Sequence, residues 1–144
     1  MPKVVAVCAS RSRKIPKRNI GVGFFERDYG LVGDANAGPG PTQVVLTGIE
    51  GREKLARNAT VPLTVGALGE NLLSQGLHLK GLRLGTKLRV GDVVLEVSQL
   101  GLDAKARQDL AAQGAVEAKF GEVVYCTVKK EGYIKAGDRI EILE

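Results

Sequence analysis

Nineteen glycines cut this chain into short apolar runs, and that punctuation restricts it to a fold of many brief strands. Lys3 to Ala9 is a continuous apolar run, and Ile20 to Glu26 and Gln43 to Thr47 are short β-branched stretches. Lys87 to Ser98 alternates apolar and polar around a Gly91-Asp92 turn, and Val123 to Lys129 and Arg139 to Leu143 complete the set. Short strands separated by glycine turns build a barrel or a sandwich rather than a doubly wound sheet. The stretch Leu88-Arg-Val-Gly-Asp-Val-Val-Leu-Glu is echoed by Ile134-Lys-Ala-Gly-Asp-Arg-Ile-Glu-Ile, which is reused turn chemistry rather than a duplicated domain.

Two helices are also legible. Thr47-Gly-Ile-Glu50 has the form of a capping box, in which threonine and glutamate side chains satisfy free amides of a first turn, and it would open a helix over Gly48 to Arg57. Asp103 can cap a second helix through Gln113, rich in alanine and ended by Gly114. A length of 144 residues suits one domain spanning 1–144, and with three Phe, three Tyr and no Trp its core must be built from Val, Leu and Ile. No apolar run approaches the ~20 residues that span a bilayer, and Met1-Pro-Lys leads into a strand without a signal-peptide core, so a cytoplasmic protein is expected.

The chemistry-bearing residues concentrate in two segments. Gly33-Asp34-Ala35-Asn36-Ala37-Gly38 and Gly69-Glu70-Asn71-Leu72 each place a carboxylate and a carboxamide among glycines inside apolar sequence. Glycine lets backbone approach a ligand closely, and the acid and amide offer it acceptors and donors. The plainer alternative is that Asp34 is a turn residue and Glu70 an acid bonded to backbone. A net charge of +5 favours anionic partners, and Arg11, Arg13, Lys14, Lys17 and Arg18 crowd one short segment interrupted by Pro16. That segment is either a solvated loop or an anion-binding lip. Cys8 and Cys126 lack the spacing of a redox or disulfide motif and read as small buried hydrophobes. The alternative is that Cys8, at the end of a strand leading into the basic segment, supplies a thiol. His78 is the sole histidine and Ser10 has no histidine near it, so neither a zinc site nor a serine nucleophile is expected, and no metal ligand is assigned.

Gly33, Asp34, Ala37 and Gly38, then Gln43 and Val44, then Gly69, Glu70 and Asn71, then Gly81, Leu82, Gly85, Leu88 and Gly91 follow one another as four ordered motifs. In this order the chain resembles the MOSC domain family, the C-terminal module of molybdenum-cofactor sulfurases, in its small stand-alone prokaryotic form. The likeness runs from about Val4 to Leu143. The resemblance implies a mainly β fold, a closed antiparallel β-barrel with two or three short helices. It implies binding of a molybdenum cofactor or a related anionic ligand, in cofactor sulfuration, sulfur transfer or reduction. The family is also associated with molybdenum ions and pyridoxal phosphate. On this reading Gly33, Asp34, Asn36, Gly38, Gln43, Gly69, Glu70 and Asn71 line the site, Arg11, Arg13 and Lys17 attract a phosphate, and Cys8 is the catalytic thiol.

The chain departs from the family pattern at informative places. Asn36 stands where relatives carry His and Thr42 where they carry Arg. The family cysteine is expected at or near Ala104 and Gln108, neither of which can act as nucleophile or soft metal ligand. A binding module that has lost the chemistry is therefore the first rival, and a basic β-barrel binding RNA the second. The scarcity of aromatics speaks against the latter, so nucleic acid is not expected as a partner. Expected partners are an anionic small molecule or pterin cofactor and, for the enzyme reading, a molybdoenzyme or sulfur donor protein, with no membrane.

Overall fold

The computed structural model describes residues 1–12, 17–51, 65–66, 69–101 and 123–143. They form eleven strands: β1 (Lys3–Ala9), β2 (Arg18–Asn19), β3 (Val22–Glu26), β4 (Gly30–Leu31), β5 (Val44–Gly48), β6 (Leu72–Gln75), β7 (Lys87–Val90), β8 (Val93–Leu100), β9 (Val123–Lys130), β10 (Gly132–Lys135) and β11 (Ile140–Leu143). Eight of them make one sheet in the order β11-β7-β8-β9-β5-β6-β1-β2, and β10-β3-β4 make a second, three-stranded sheet.

The period-2 pattern explains the inward face. Along β7 and most of β8, apolar residues alternate with more exposed ones, whereas β5, between β6 and β9, is buried at every position. Phe25, Leu31, Leu46, Leu72, Leu88, Leu95 and Ile134 are almost wholly removed from solvent and belong to one core. Each such side chain contributes about 1.5–3 kcal/mol through burial, and truncating one, as in Leu95→Ala, would cost about 2–5 kcal/mol. Register shifts between Val4 and Ala6 on β1, and between Val94 and Leu95 and between Val97 and Gln99 on β8, increase the local twist and curl the sheet.

The expected closed barrel is not formed. The sheet is a strongly curled half-barrel whose β1 meets the approach to β11 only at a seam. There Lys3 and Arg139 make an isolated bridge, with hydrogen bonds from Val4 N to Asp138 O, Gly137 N to Val4 O and Ile140 N to Pro2 O. Farther along, the same edge of β1 is taken by Ile20 and β2, so no continuous ladder can close it. Nor is the sheet wholly antiparallel, because β5 and β6 run parallel.

Two or three helices were expected, and the described residues contain one complete helix, the 3-10 turn Leu79–Gly81. Residues 49–51 are helical, but residues 52–57 of the helix expected over 48–57, and all of that expected over 103–113, fall outside the described residues. The Thr47–Glu50 capping box is absent. Thr47 and Gly48 belong to β5, the Thr47 hydroxyl is buried without a hydrogen-bond partner, and Glu50 Oε2 accepts from Gly76 N at 2.8 Å. The echoed turns meet in space: Gly91 takes φ +58°, a left-handed conformation that favours glycine, and a Cβ there would lie 2.6 Å from Asp138 Oδ2 and displace that carboxylate.

Candidate functional site

The segment following β1 and the first glycine motif lie against each other. Ser10 N donates to Asp34 Oδ1 at 2.9 Å, and Ala35 N donates to Ser10 O at 2.7 Å. Asp34 Oδ2 accepts from Asn36 N at 2.9 Å, the local turn bond open to an aspartate in that position. Into this arrangement comes the Lys17 ammonium, 2.7 Å from Asp34 Oδ1 and 3.3 Å from Asn36 Oδ1. Both charged side chains are almost fully buried, at 3% and 0% exposure. A buried carboxylate needs such a partner, because desolvation of either charge alone is very unfavourable.

The same lysine reaches the second motif through its backbone. Lys17 N donates to Gly66 O at 2.9 Å, and Gly66 N donates to Glu70 Oε2 at 3.0 Å. Gly66 sits at φ +86°, and a Cβ on it would fall 2.0 Å from Lys17 O, so the contact excludes any other residue. Asp34 and Glu70 thus belong to one connected network. Asn71, next in sequence, is a strand fastener: it exchanges backbone bonds with Val45 and Cys8, its Oδ1 accepts from Val45 N at 2.9 Å and its Nδ2 donates to Cys8 O at 3.2 Å. Gln43 is used similarly, with Oε1 accepting from Val128 N at 3.0 Å. Gly69 N donates to Gly66 O, and Gly38 N donates to Tyr29 O.

Beside this network opens a cleft of about 830 Å³, lined among others by Ser10, Arg11, Ser12, Arg18, Asn19 and Gly33. Of the residues expected at the site, Arg11 and Gly33 line this cleft. Asp34, Asn36 and Lys17 stand behind its wall, whereas Gln43 and Asn71 brace strands and Glu70 holds the Gly66 turn. Lys17, expected on the anion-binding lip, instead spends its charge on Asp34. Arg13 lies outside the described residues. Cys8 is fully buried in a small cluster with Ala6 and Leu73, on the side of β1 away from the main core, and is not among the lining residues. Cys126 is equally buried, and desolvation pushes its thiol up to about 12. No group of histidine, cysteine and acidic side chains suited to a metal ion occurs among the described residues.

Sequence reasoning passed over Ser12, Asn19 and Gly66, weighed Ser10 only as a nucleophile, and counted Arg18 in the basic cluster without placing it in the site. The only signal for Arg18 was its membership of that cluster. Gly66 stands three residues before Gly69, and that repeat was its only mark.

The electrostatics of the cleft follow from this sorting. Arg11 and Arg18 are exposed and no carboxylate pairs with either among the described residues. The arrangement can therefore hold an anion between two guanidinium groups, with hydroxyl and amide groups alongside.

Comparisons with known proteins agree with the fold. The model of the MOSC domain family matches residues 42–141. Among solved structures, the YuaD protein from Bacillus subtilis superposes with a TM-score of 0.79 at 16% identity, covering 99% of this chain and 96% of that one. YiiM from Geobacillus stearothermophilus gives 0.71 at 17% identity, covering 100% and 76%. YiiM from Escherichia coli gives 0.68 at 21% identity, covering 100% and 70%. No curated protein is significantly similar in sequence.

Proposed function

We propose, from the premise that this chain belongs to the MOSC domain family, that its cleft binds an anionic, phosphate-bearing small molecule of the pterin-cofactor class, as a binding module without thiol chemistry. The observation that carries the reading is the division of charge: Lys17 is neutralised internally, while Arg11 and Arg18 border the cleft with no carboxylate partner among the described residues. Arginine suits phosphate because its planar donors can bind two oxygens at once.

The residues present suit one end of a molybdenum cofactor better than the other. Arg11 and Arg18 would hold its phosphate, and Ser10, Ser12 and Asn19 would meet polar edges of the pterin. When bound, such a cofactor supplies a metal centre for sulfur or oxygen chemistry. No described lining residue carries sulfur, Ala104 and Gln108 occupy the segment of the family cysteine, and Cys8, within β1, is fully buried. No sulfur-transfer step is assigned to this chain. An RNA-binding reading gains no support from the cleft, since none of the described lining residues is an aromatic on which a base could stack.

The test is native mass spectrometry of the purified protein together with titration of inorganic pyrophosphate. A retained phosphate-bearing pterin, and pyrophosphate binding that weakens in the Arg11→Ala/Arg18→Ala double variant, are expected. The salt dependence of binding should fall with it, because exposed charge attraction is screened over ~8–10 Å at ordinary ionic strength. Equal binding by the parent and the double variant would return the two arginines to the role of solvated surface charges.

A further inference from the structure

The Lys17–Asp34 pair is more elaborate than packing requires. Asp34 does three things at once: it accepts from the Ser10 amide, accepts from the Asn36 amide and meets the Lys17 ammonium. Ser10 and the neighbour Gly33 both line the cleft, so the carboxylate stands directly behind the wall that an anion would face. A negative charge in that position opposes anion binding. A positive charge alone would favour it, yet would leave the Ser10 and Asn36 amides without their acceptor.

We propose that Lys17 is the counter-ion of Asp34 and a positioning residue for the cleft, not a ligand: it cancels the field of a carboxylate whose hydrogen bonds shape the wall, so that, among the described residues, the exposed Arg11 and Arg18 set the cleft's charge. This rests on the anion-binding reading above. The geometry supports it on two further counts. The ammonium is held by Asp34 Oδ1 and Asn36 Oδ1, and the side chain is 3% exposed, which leaves it no open approach to a molecule in the cleft. The Lys17 backbone is anchored independently to Gly66, so the position of the residue does not depend on a bound ligand.

A counter-ion at Lys17 and a merely structural lysine differ in the sign of the effects expected on anion affinity. In folded protein, Lys17→Met exposes the cleft to the Asp34 charge and should weaken pyrophosphate binding about three- to tenfold, the scale of one unit charge acting across roughly 10 Å at intermediate dielectric. Asp34→Asn retains an acceptor, leaves the lysine charge uncompensated and should bind pyrophosphate at least as tightly as the parent. The double variant Lys17→Met/Asp34→Asn should return to within about twofold of the parent. Weaker binding in all three variants, each confirmed folded by thermal melting, would overturn the proposal.

Should any variant fail to fold, the parent protein decides. Amine acetylation followed by peptide mapping should leave Lys17 unmodified both with and without pyrophosphate, whereas a lysine that reacts freely and is protected by pyrophosphate would be a ligand. Failure of the underlying reading is separately visible: it would show as unaltered pyrophosphate binding in the Arg11→Ala/Arg18→Ala protein, whatever the outcome at Lys17.

Discussion

The two glycine-bounded acid and amide pairs look alike in sequence and are used differently. Asp34 and Asn36 gather around a cation just behind an open cleft, whereas Asn71 spends its side chain on the backbones of β1 and β5, and Glu70 takes the Gly66 amide. The difference teaches that an acid beside an amide among glycines marks a place where backbone groups need side-chain partners. A ligand is only one reason for that need, and a strand junction that the regular ladder cannot satisfy is another.

The contrast can be broken experimentally. The largest effect on stability should come from Lys17→Met, which strands a buried carboxylate and should lower the unfolding free energy by about 4 kcal/mol in denaturant titration. A loss under ~1 kcal/mol would mean that the pair is solvated and the first motif is an ordinary turn. Asn71→Ala should follow at about 3 kcal/mol, because it takes the buried Val45 N's side-chain acceptor away and removes the amide that donates to Cys8 O. Unlike the lysine variant, it should leave the pyrophosphate affinity of the folded protein unchanged. An Asn71 variant that kept its stability but lost affinity would move the second motif into the binding site and erase the distinction.

Alkali supplies the mildest test, directed at the strand framework that Asn71 fastens. The Cys126 thiol, pushed by burial from 9.0 up to about 12, favours the folded state fully below pH 9, and that contribution is lost as pH rises toward 12. Cys126→Ala should therefore flatten the stability profile in this window while changing nothing in its shape near neutrality. A thiol-directed reagent should modify Cys126 only after unfolding, and rapid reaction in the folded protein at pH 8 would contradict the burial seen on β9.

Much of the strand plan was legible, and the reason is local. The β1 range follows from its apolar run, and the β7–β8 hairpin from alternation about Gly91-Asp92. What escaped was chemistry with no local signature. β6, Leu-Leu-Ser-Gln, has no β-branched residue and is a strand because β1 and β5 flank it. β10 begins with glycine and ends with lysine, and is fixed by Phe24 and Phe25 across from Tyr133 and Gly132. Whether the sheet would close depended on how far it curls, which no segment encodes by itself. At the site, the residue types were visible but their roles were not. Lys17 and Arg18 are adjacent cations in sequence, and only the fold turns one inward to Asp34 and the other toward the cleft.

The seam between Lys3 and Arg139 gives the half-barrel a preferred place to breathe. Elsewhere the long strands of the sheet pair with neighbours along extended ladders, but here the curl is completed by a short row of bonds from Val4, Gly137 and Ile140. Local opening free energies follow the number of contacts that must be released together. Amide hydrogens of Val4 and Ile140 should consequently exchange with solvent sooner than those of β5 and β9, even though both residues are buried. The seam lets the sheet part on one line while the interior strands stay paired.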